Sequence, residues 1–223
     1  MRLLSANVVP DSGTPLDGYR RVVQGGPGLP DDSILERVTL GAAPDPNAVR
    51  ERRQAEAEAS VDAGRMLESV LAFFELTLET GETMPGLGEA VQSIPDADVR
   101  RFREVMSQPP STREIASAMA PALVELRTAA GRHAHVLMSF EAGARRALGG
   151  AQEARALLLE VIEANPFFTG AYKDLGDLCA ADSDLAAAWL CWDAARNIAP
   201  GHKLLNDVSA LEEMLATEHP EFF

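Results

Sequence analysis

Residues 169–202 restrict the possible folds of this chain more than any other segment. They read TGAYKDLGDLCAADSDLAAAWLCWDAARNIAPGH. Apolar residues recur at helical spacing in two stretches, which are separated by Asp182 and Asp184. Asp is favoured in turns because its side chain bonds to the local backbone. The segment therefore predicts two helices joined by a turn.

The spacing within this segment resembles the signature of the tetratricopeptide repeat, a helix–turn–helix unit of 34 residues. With Thr169 as position 1, each signature position holds the expected residue or one of similar character. These residues are Tyr172, Leu175, Gly176, Cys179, Ala188, Trp192, Ala195 and Pro200. The resemblance implies a stack of helix pairs that holds a partner and rarely carries chemistry.

Residues 132–166 resemble a degenerate copy of the same unit. The second helix of this copy fits the spacing, whereas its first helix fits only if one residue is inserted. After Pro200, apolar residues recur at helical intervals and predict an amphipathic helix that caps the stack; they are Leu204, Val208, Leu211 and Leu215. We expect residues 132–223 to form a repeat-like block.

The pattern of residues 47–131 predicts several helices of unequal length that do not form a regular repeat. Asn47 can cap a long helix that continues to about Glu79. Its second half, residues 66–78, is apolar around most of its circumference. Such a helix is buried on more than one side, so this stretch is either the centre of the domain or the seam of a homodimer.

Shorter helices are expected after this long one. Asp96 or Asp98 can cap the first of them, and Ser111 with Glu114 forms a capping box that opens the next. Pro121 should kink or end that helix.

Residues 1–46 are rich in Pro and Gly and lack a helical pattern. Residues 3–9 and 34–40 contain β-capable residues, and the second segment alternates in polarity. We expect an extended, irregular arm that is disordered or lies over a neighbour. The glycines at 25–28 lack the spacing of a phosphate-binding loop.

Composition supports an all-α fold, because aromatic residues make up only 5% of the chain while good helix formers are frequent. The net charge is −14, and residues 151–223 carry 13 acidic and 4 basic residues, a net charge of −9. Such a surface disfavours nucleic acid and anionic membranes and attracts basic partners. The alternative is that the acidic residues only keep the protein soluble.

The sequence pattern does not predict export or membrane insertion. The first ten residues do not form a signal peptide, and no apolar stretch is long enough to span a bilayer. We expect a soluble, cytoplasmic protein. Cys179 and Cys191 are interpreted as small buried hydrophobes, with a disulfide as the alternative.

No motif in the sequence indicates catalysis. His133 and His135 are two residues apart on a presumed helix, so they are expected to face different sides and not to share a metal. The sequence has no Cys-x-x-Cys, nucleophile elbow or dinucleotide fingerprint. We therefore expect no catalytic residue, no metal site and no cofactor.

The resemblance also implies a binding surface. In tetratricopeptide proteins the first helix of each unit lines a concave groove, and the matching positions here are Gly170, Lys173, Asp174 and Asp177. Lys173 matches a position that clamps a peptide's terminal carboxylate in some family members, but Asp177 would repel that group. Asp174 and Asp177 suit a basic or neutral segment better, and solvated surface charges are the alternative.

These observations favour a non-catalytic helical scaffold or adaptor that binds a protein or peptide, its own arm or a second copy of itself. One alternative is an accessory domain of a larger enzyme or of a secretion or assembly system. Another is an enzyme whose site is built from dispersed residues of the N-terminal half. A deep pocket ringed by converging polar groups would favour that enzyme, and an open groove would favour the scaffold.

Overall fold

A computed structural model describes residues 28–82, 86–108, 110 and 112–218. These residues form eleven α-helices and two short 3₁₀ turns, with no strand among them, which confirms the all-α class. The α-helices are α1 (Asp32–Leu40), α2 (Pro46–Asp62), α3 (Met66–Thr80), α4 (Leu87–Ser93), α5 (Ala97–Met106), α6 (Arg113–Leu126), α7 (Ala134–Ala147), α8 (Ala151–Ala164), α9 (Thr169–Ala181), α10 (Leu185–Ile198) and α11 (Asn206–Glu218). The 3₁₀ turns are Gly131–His133 and Lys203–Leu205.

Side-chain caps begin several of these helices. The carboxylate of Asp96 accepts hydrogen bonds from two backbone N–H groups at the start of α5, as expected. Helix α6 is capped by Thr112, which accepts from the N–H of Ile115, whereas the expected cap Ser111 lies outside the described residues. Helix α2 is capped by Asp45 and not by the expected Asn47. Each such cap stabilises a helix by about 1 kcal/mol.

Helix α1 corrects the prediction that residues 1–46 are extended throughout. Its residues 34–40 have β-capable side chains, yet Leu35 and Val38 are fully buried against the core when the segment is helical. Asn197 of α10 donates to the backbone oxygens of Val38 and Gly41, at 2.6 and 3.1 Å, and holds the end of α1 in place. Tertiary packing has overridden a weak β propensity. Residues 1–27, which include the segment 3–9 and most of the glycine cluster, lie outside the described residues.

The long helix expected from residue 47 to 79 is two helices. Helix α2 ends at Asp62, and Gly64 has a φ of +72°, a left-handed conformation that glycine adopts without steric cost. The chain turns there, and α3 packs along α2.

Helix α3 lies at the centre of the fold. It packs on α2, α5, α7 and α9, and its residues Leu67, Val70, Leu71 and Leu76 are almost completely buried. Burial within one chain therefore accounts for the apolar pattern of residues 66–78 without a second subunit.

The C-terminal part consists of two helix pairs, α7 with α8 and α9 with α10, followed by α11. Most of the signature residues of the 169–202 segment are buried between α9 and α10. Tyr172 is one of them, and its hydroxyl donates to the backbone oxygen of Pro166 at 3.1 Å. In α11 Val208 is buried and faces the core, whereas Leu204, expected on the same apolar face, is 42% exposed.

A single hydrophobic core runs through both halves of the described chain. Phe74 of α3 contacts Phe102 of α5 and Phe140 of α7 edge to face, with ring centroids 5.2 and 6.3 Å apart. Such pairs add to the stabilisation from buried area. In the part of the chain that the structure describes, no helix is long and apolar enough to cross a membrane.

Candidate functional site

The four positions predicted to face a partner all lie on α9. Lys173 is one of them, but its side chain is buried, with only 7% exposed. Its ammonium donates to both oxygens of Asp177, at 2.8 Å, and to Asp207 of α11, at 2.9 Å. Its three donors are thus engaged inside the protein, and the bonds tie α9 to α11.

The other predicted positions differ in accessibility. Gly170 is buried, and a Cβ there would lie 3.5 Å from Leu78 and 3.8 Å from Leu204. Asp177 is partly exposed and also accepts a hydrogen bond from Nε1 of Trp192 at 3.2 Å. Asp174 keeps 37% of its side-chain area exposed. Of the four positions, Asp174 is the one with the most accessible charge.

Arg146 of α7 adds a positive charge beside these carboxylates. Its guanidinium lies 4.0 Å from Asp174 and 3.7 Å from Asp177. Partial burial raises the pKa of Asp174. The positive charge of Arg146 lowers it, but by less than burial raises it. We name the residues Arg146, Lys173, Asp174, Asp177 and Asp207 the polar strip. It crosses α7, α9 and α11 without a break.

A second group of polar side chains lies in the interior, and the sequence analysis did not predict it. At its centre is the fully buried carboxylate of Glu75 on α3. One oxygen, Oε2, accepts from Nδ1 of His133 at 2.5 Å. The other, Oε1, accepts from Nε2 of His135 at 2.7 Å, from Arg53 at 2.5 Å and from Asn165 at 2.6 Å.

Glu79 continues this group one helical turn further along α3. Arg53 donates to both of its carboxylate oxygens, at 2.9 and 2.7 Å, and Asn165 donates to one of them at 2.8 Å. The backbone oxygen of Glu79 accepts from the hydroxyl of Thr169 at 2.9 Å. We name the residues Arg53, Glu56, Glu75, Glu79, His133, His135 and Asn165 the buried polar cluster. It joins α2 and α3 to the start of α7 and to the segment before α9.

The charges in this cluster stabilise one another. Burial alone would raise the pKa of Glu75, but the hydrogen bonds from His133 and His135 and the charges of His135 and Arg53 outweigh it and lower the pKa to about 2. Burial would likewise lower the pKa of Arg53, whereas its bond to Glu79 and the charges of both carboxylates raise it. Both groups are therefore ionised near neutral pH.

The structure corrects the expectation that His133 and His135 face different sides. His133 ends the 3₁₀ turn and only the residues after it belong to α7, so the helical spacing assumed for the pair does not apply. Both rings reach the same carboxylate. A usable signal was present in the sequence, because Glu75 lies between the apolar residues Phe74 and Leu76 of a mostly apolar stretch, and a carboxylate in such a position needs buried donors.

A cleft of about 340 Å³ lies beside the buried polar cluster. Its walls are mostly apolar and include Pro44, Phe167 and Ile198. Glu79 also contributes to it, but its carboxylate is 2% exposed and is already bonded to Arg53 and Asn165. The cleft is thus an apolar space, and the cluster's polar atoms face one another. Among the described residues, no three His, Cys, Asp or Glu side chains are arranged to hold a metal ion.

The two cysteines are free and buried, which confirms their interpretation as buried residues. Cys179 nevertheless has a polar neighbour, since Arg155 of α8 donates to its Sγ at 3.3 Å and to Asp182 at 2.8 Å. Contact with the Cys191 thiol, and then the Arg155 guanidinium, lower the pKa of Cys179, whereas the same contact and burial raise the pKa of Cys191.

Comparison of the chain with protein-family models, with curated proteins and with solved structures found no match. The resemblance to the tetratricopeptide repeat therefore rests on the spacing of residues 132–202 and is a proposal.

Proposed function

We propose that this protein is a non-catalytic helical scaffold or adaptor that binds a basic segment of a partner protein along the polar strip. The observation that carries the proposal is the continuity of the strip across α7, α9 and α11. The repeat resemblance assigns the first helix of each unit, α7 and α9, to a partner-binding face, and α11 is the predicted capping helix beside them. The burial of the polar cluster also supports a scaffold over an enzyme, because its charged groups are bonded to one another.

The charge of the strip favours a basic partner. Lys173 is engaged by Asp177 and Asp207, so the accessible cation of the strip is Arg146. Asp207 keeps 68% of its side-chain area exposed, and Asp174 keeps 37%. Lysine or arginine side chains of a bound segment would complement these carboxylates and would suffer little repulsion.

A peptide library displayed on phage and selected on the immobilised full chain would test this proposal. We expect the selected peptides to be enriched in lysine and arginine. The double variant Asp174→Asn, Asp207→Asn should weaken binding of a selected synthetic peptide by about tenfold, measured by fluorescence anisotropy at low salt.

The matched control is Glu160→Gln, Glu163→Gln, which removes two exposed carboxylates from α8, the second helix of its pair. It changes the net charge equally but should leave the affinity unchanged. If both double variants weakened peptide binding equally, the overall charge of the protein would explain the effect, and binding at the polar strip would be contradicted. Selected peptides without basic enrichment would contradict the proposed partner chemistry.

A further inference from the structure

Helix α11 is the least buried helix of the C-terminal part. Among its residues Asn206–Glu218, Val208 is the one that is buried. Leu211 and Leu215 pack against the core with only part of their surface, and Met214 is 46% exposed. Single exposed apolar residues are normal on a protein surface, whereas a contiguous apolar patch with a polar rim marks an interaction site. The arrangement of these residues around the helix therefore decides what the surface can do.

Four residues lie along one flank of α11. Asp207, Leu211, Met214 and Glu218 follow one another at intervals of four, three and four residues. With ~3.6 residues per turn, they fall within an arc of about 60° around the helix axis. We name these four residues the α11 stripe. It consists of two neighbouring apolar side chains with one carboxylate at each end.

The α11 stripe lies on the flank of the helix that faces α9. Asp207 accepts a hydrogen bond from Nζ of Lys173 on α9 at 2.9 Å. Glu212, on the other side of the buried Val208, pairs instead with Arg196 of α10 at 3.0 Å. The stripe therefore begins at the polar strip, with which it shares Asp207, and continues along α11.

The charges of α11 restrict what can cover the stripe. Residues 206–218 contain four acidic side chains and no lysine or arginine. Asp207 and Glu218, at the two ends of the stripe, are exposed. A second copy of α11 would bring like charges against these carboxylates, which is unfavourable. A helix with basic residues would pair with them, and its apolar side chains would cover Leu211 and Met214.

We propose that the partner segment bound by the polar strip includes a basic amphipathic helix, which packs along the α11 stripe. This inference rests on the proposed function, because the stripe and the strip share Asp207. The partner helix carries a basic residue, two apolar residues and a second basic residue at the same intervals as the stripe. These intervals read the same from either end, so they fit α11 whether the two helices run parallel or antiparallel.

Two synthetic peptides of identical composition test the proposal. Both contain the same basic segment for the polar strip, followed by an alanine-based helix with two lysines and two leucines. In the matched peptide the lysines and leucines have the intervals of the stripe, and in the permuted peptide one leucine is moved to the opposite face of the helix. We expect the matched peptide to bind the full chain about fivefold more tightly, measured by fluorescence anisotropy.

Met214→Gln removes the apolar contact and keeps a side chain of similar length. It should abolish the difference in affinity between the two peptides, and it should do so at low and at high salt, because salt screens charge pairs and not apolar contacts. Val124→Gln is the matched control, since Val124 is 43% exposed but belongs to α6, outside the strip and the stripe. This variant should keep the full difference. Both positions are exposed, so we expect both variants to fold.

The outcomes separate this inference from the proposed function. Equal affinity of the two peptides for the wild-type protein would overturn the inference and leave the polar strip as a site for basic segments. A difference that persisted in Met214→Gln would place the apolar contact elsewhere and would also overturn it. Absence of binding by both peptides would contradict the inference together with the proposed function.

Sedimentation velocity of the protein without peptide tests the other occupant of the stripe. We expect wild type and Met214→Gln to sediment identically. A wild-type dimer that dissociates in Met214→Gln but not in Val124→Gln would show that a second copy of the chain covers the stripe, and this result would overturn the proposal.

Discussion

Gly176 of α9 lies directly against the indole ring of Trp192 on α10. A Cβ at position 176 would lie 2.4 Å from Nε1 of Trp192 and 3.1 Å from the backbone oxygen of Ala188. The ring is buried, and Nε1 donates a hydrogen bond to Asp177. It cannot move aside without breaking that bond, so the missing side chain sets how closely α9 and α10 approach.

The variant Gly176→Ala should therefore destabilise the protein. Alanine gains helix propensity over glycine, about 1 kcal/mol, but overpacking a core costs about 1–3 kcal/mol. We expect a net loss of roughly 1 kcal/mol in the free energy of unfolding, measured by urea denaturation.

Gly143→Ala is the matched control. Gly143 is also inside a helix, α7, but a Cβ there would meet nothing within 4 Å. We expect this variant to be more stable by about 0.5–1 kcal/mol. If both variants shifted stability in the same direction, the contact with Trp192 would not be the determining factor.

Glu75 should make stability depend on pH in the acidic range. Its pKa is lowered from its ordinary 4.5 to about 2, so the folded state binds fewer protons on this group than the unfolded state. The stabilisation is fully present above pH 4.5 and is lost as the pH falls toward 2. Urea denaturation at a series of pH values would measure it.

Glu75→Gln isolates this contribution. It should cost about 3 kcal/mol or more at pH 7, because the buried Arg53 and His133 lose their carboxylate, and its deficit should shrink as the pH falls. Glu89→Gln, an exposed change on α4, should follow the wild-type protein at every pH. A Glu75→Gln deficit that stayed constant between pH 7 and 3 would argue against the assigned pKa.

Lys173 should prove important for stability, whatever partner binds nearby. Its buried ammonium bonds to Asp177 and Asp207, and these bonds outweigh the effect of burial and raise its pKa. Lys173→Met should lower the free energy of unfolding by about 1–2 kcal/mol, since both carboxylates lose a charged donor. Asp174→Asn should change it by less than about 0.5 kcal/mol, because that side chain is partly exposed. Equal thermal midpoints for wild type and Lys173→Met would refute this assignment.

Arg155 should favour the thiolate form of Cys179. Its guanidinium donates to Sγ at 3.3 Å, and removing a neighbouring positive charge raises the pKa of an acid. In a Cys191→Ser background, which leaves one thiol in the chain, adding Arg155→Gln should raise the pKa of Cys179 by roughly one unit. The ultraviolet absorbance of the thiolate, followed against pH, measures the shift. Superimposable titration curves would show that Arg155 does not act on the thiol.

Local chemistry made much of the helical framework predictable. Asp96 caps α5 as expected because a cap needs only a side chain and backbone groups two or three residues away. The turn at Asp182–Asp184 separates α9 from α10 where the repeat spacing put it. Buried Tyr172 and Leu175 followed from the same periodicity.

The errors arose where local signals were weak or ambiguous. Residues 34–40 have no strong preference of their own, and they became helix α1 because a helix buries Leu35 and Val38 together. The break at Gly64 was missed because a single glycine can lie within a helix or end it. Only the packing of α2 on α3 required the turn.

The sequence by itself determined the all-α class, many helix ends and the spacing of the C-terminal helix pairs, since these depend on interactions within about one repeat length. Only the tertiary structure decided that Glu75 meets His133, 58 residues away, and Asn165, 90 residues away. The reason is physical: a buried carboxylate must find donors, but which donors reach it depends on how α3 packs against α2, α7 and α9. Tertiary packing likewise decided that Lys173, at a predicted binding position, bonds to Asp177 and Asp207 within the chain.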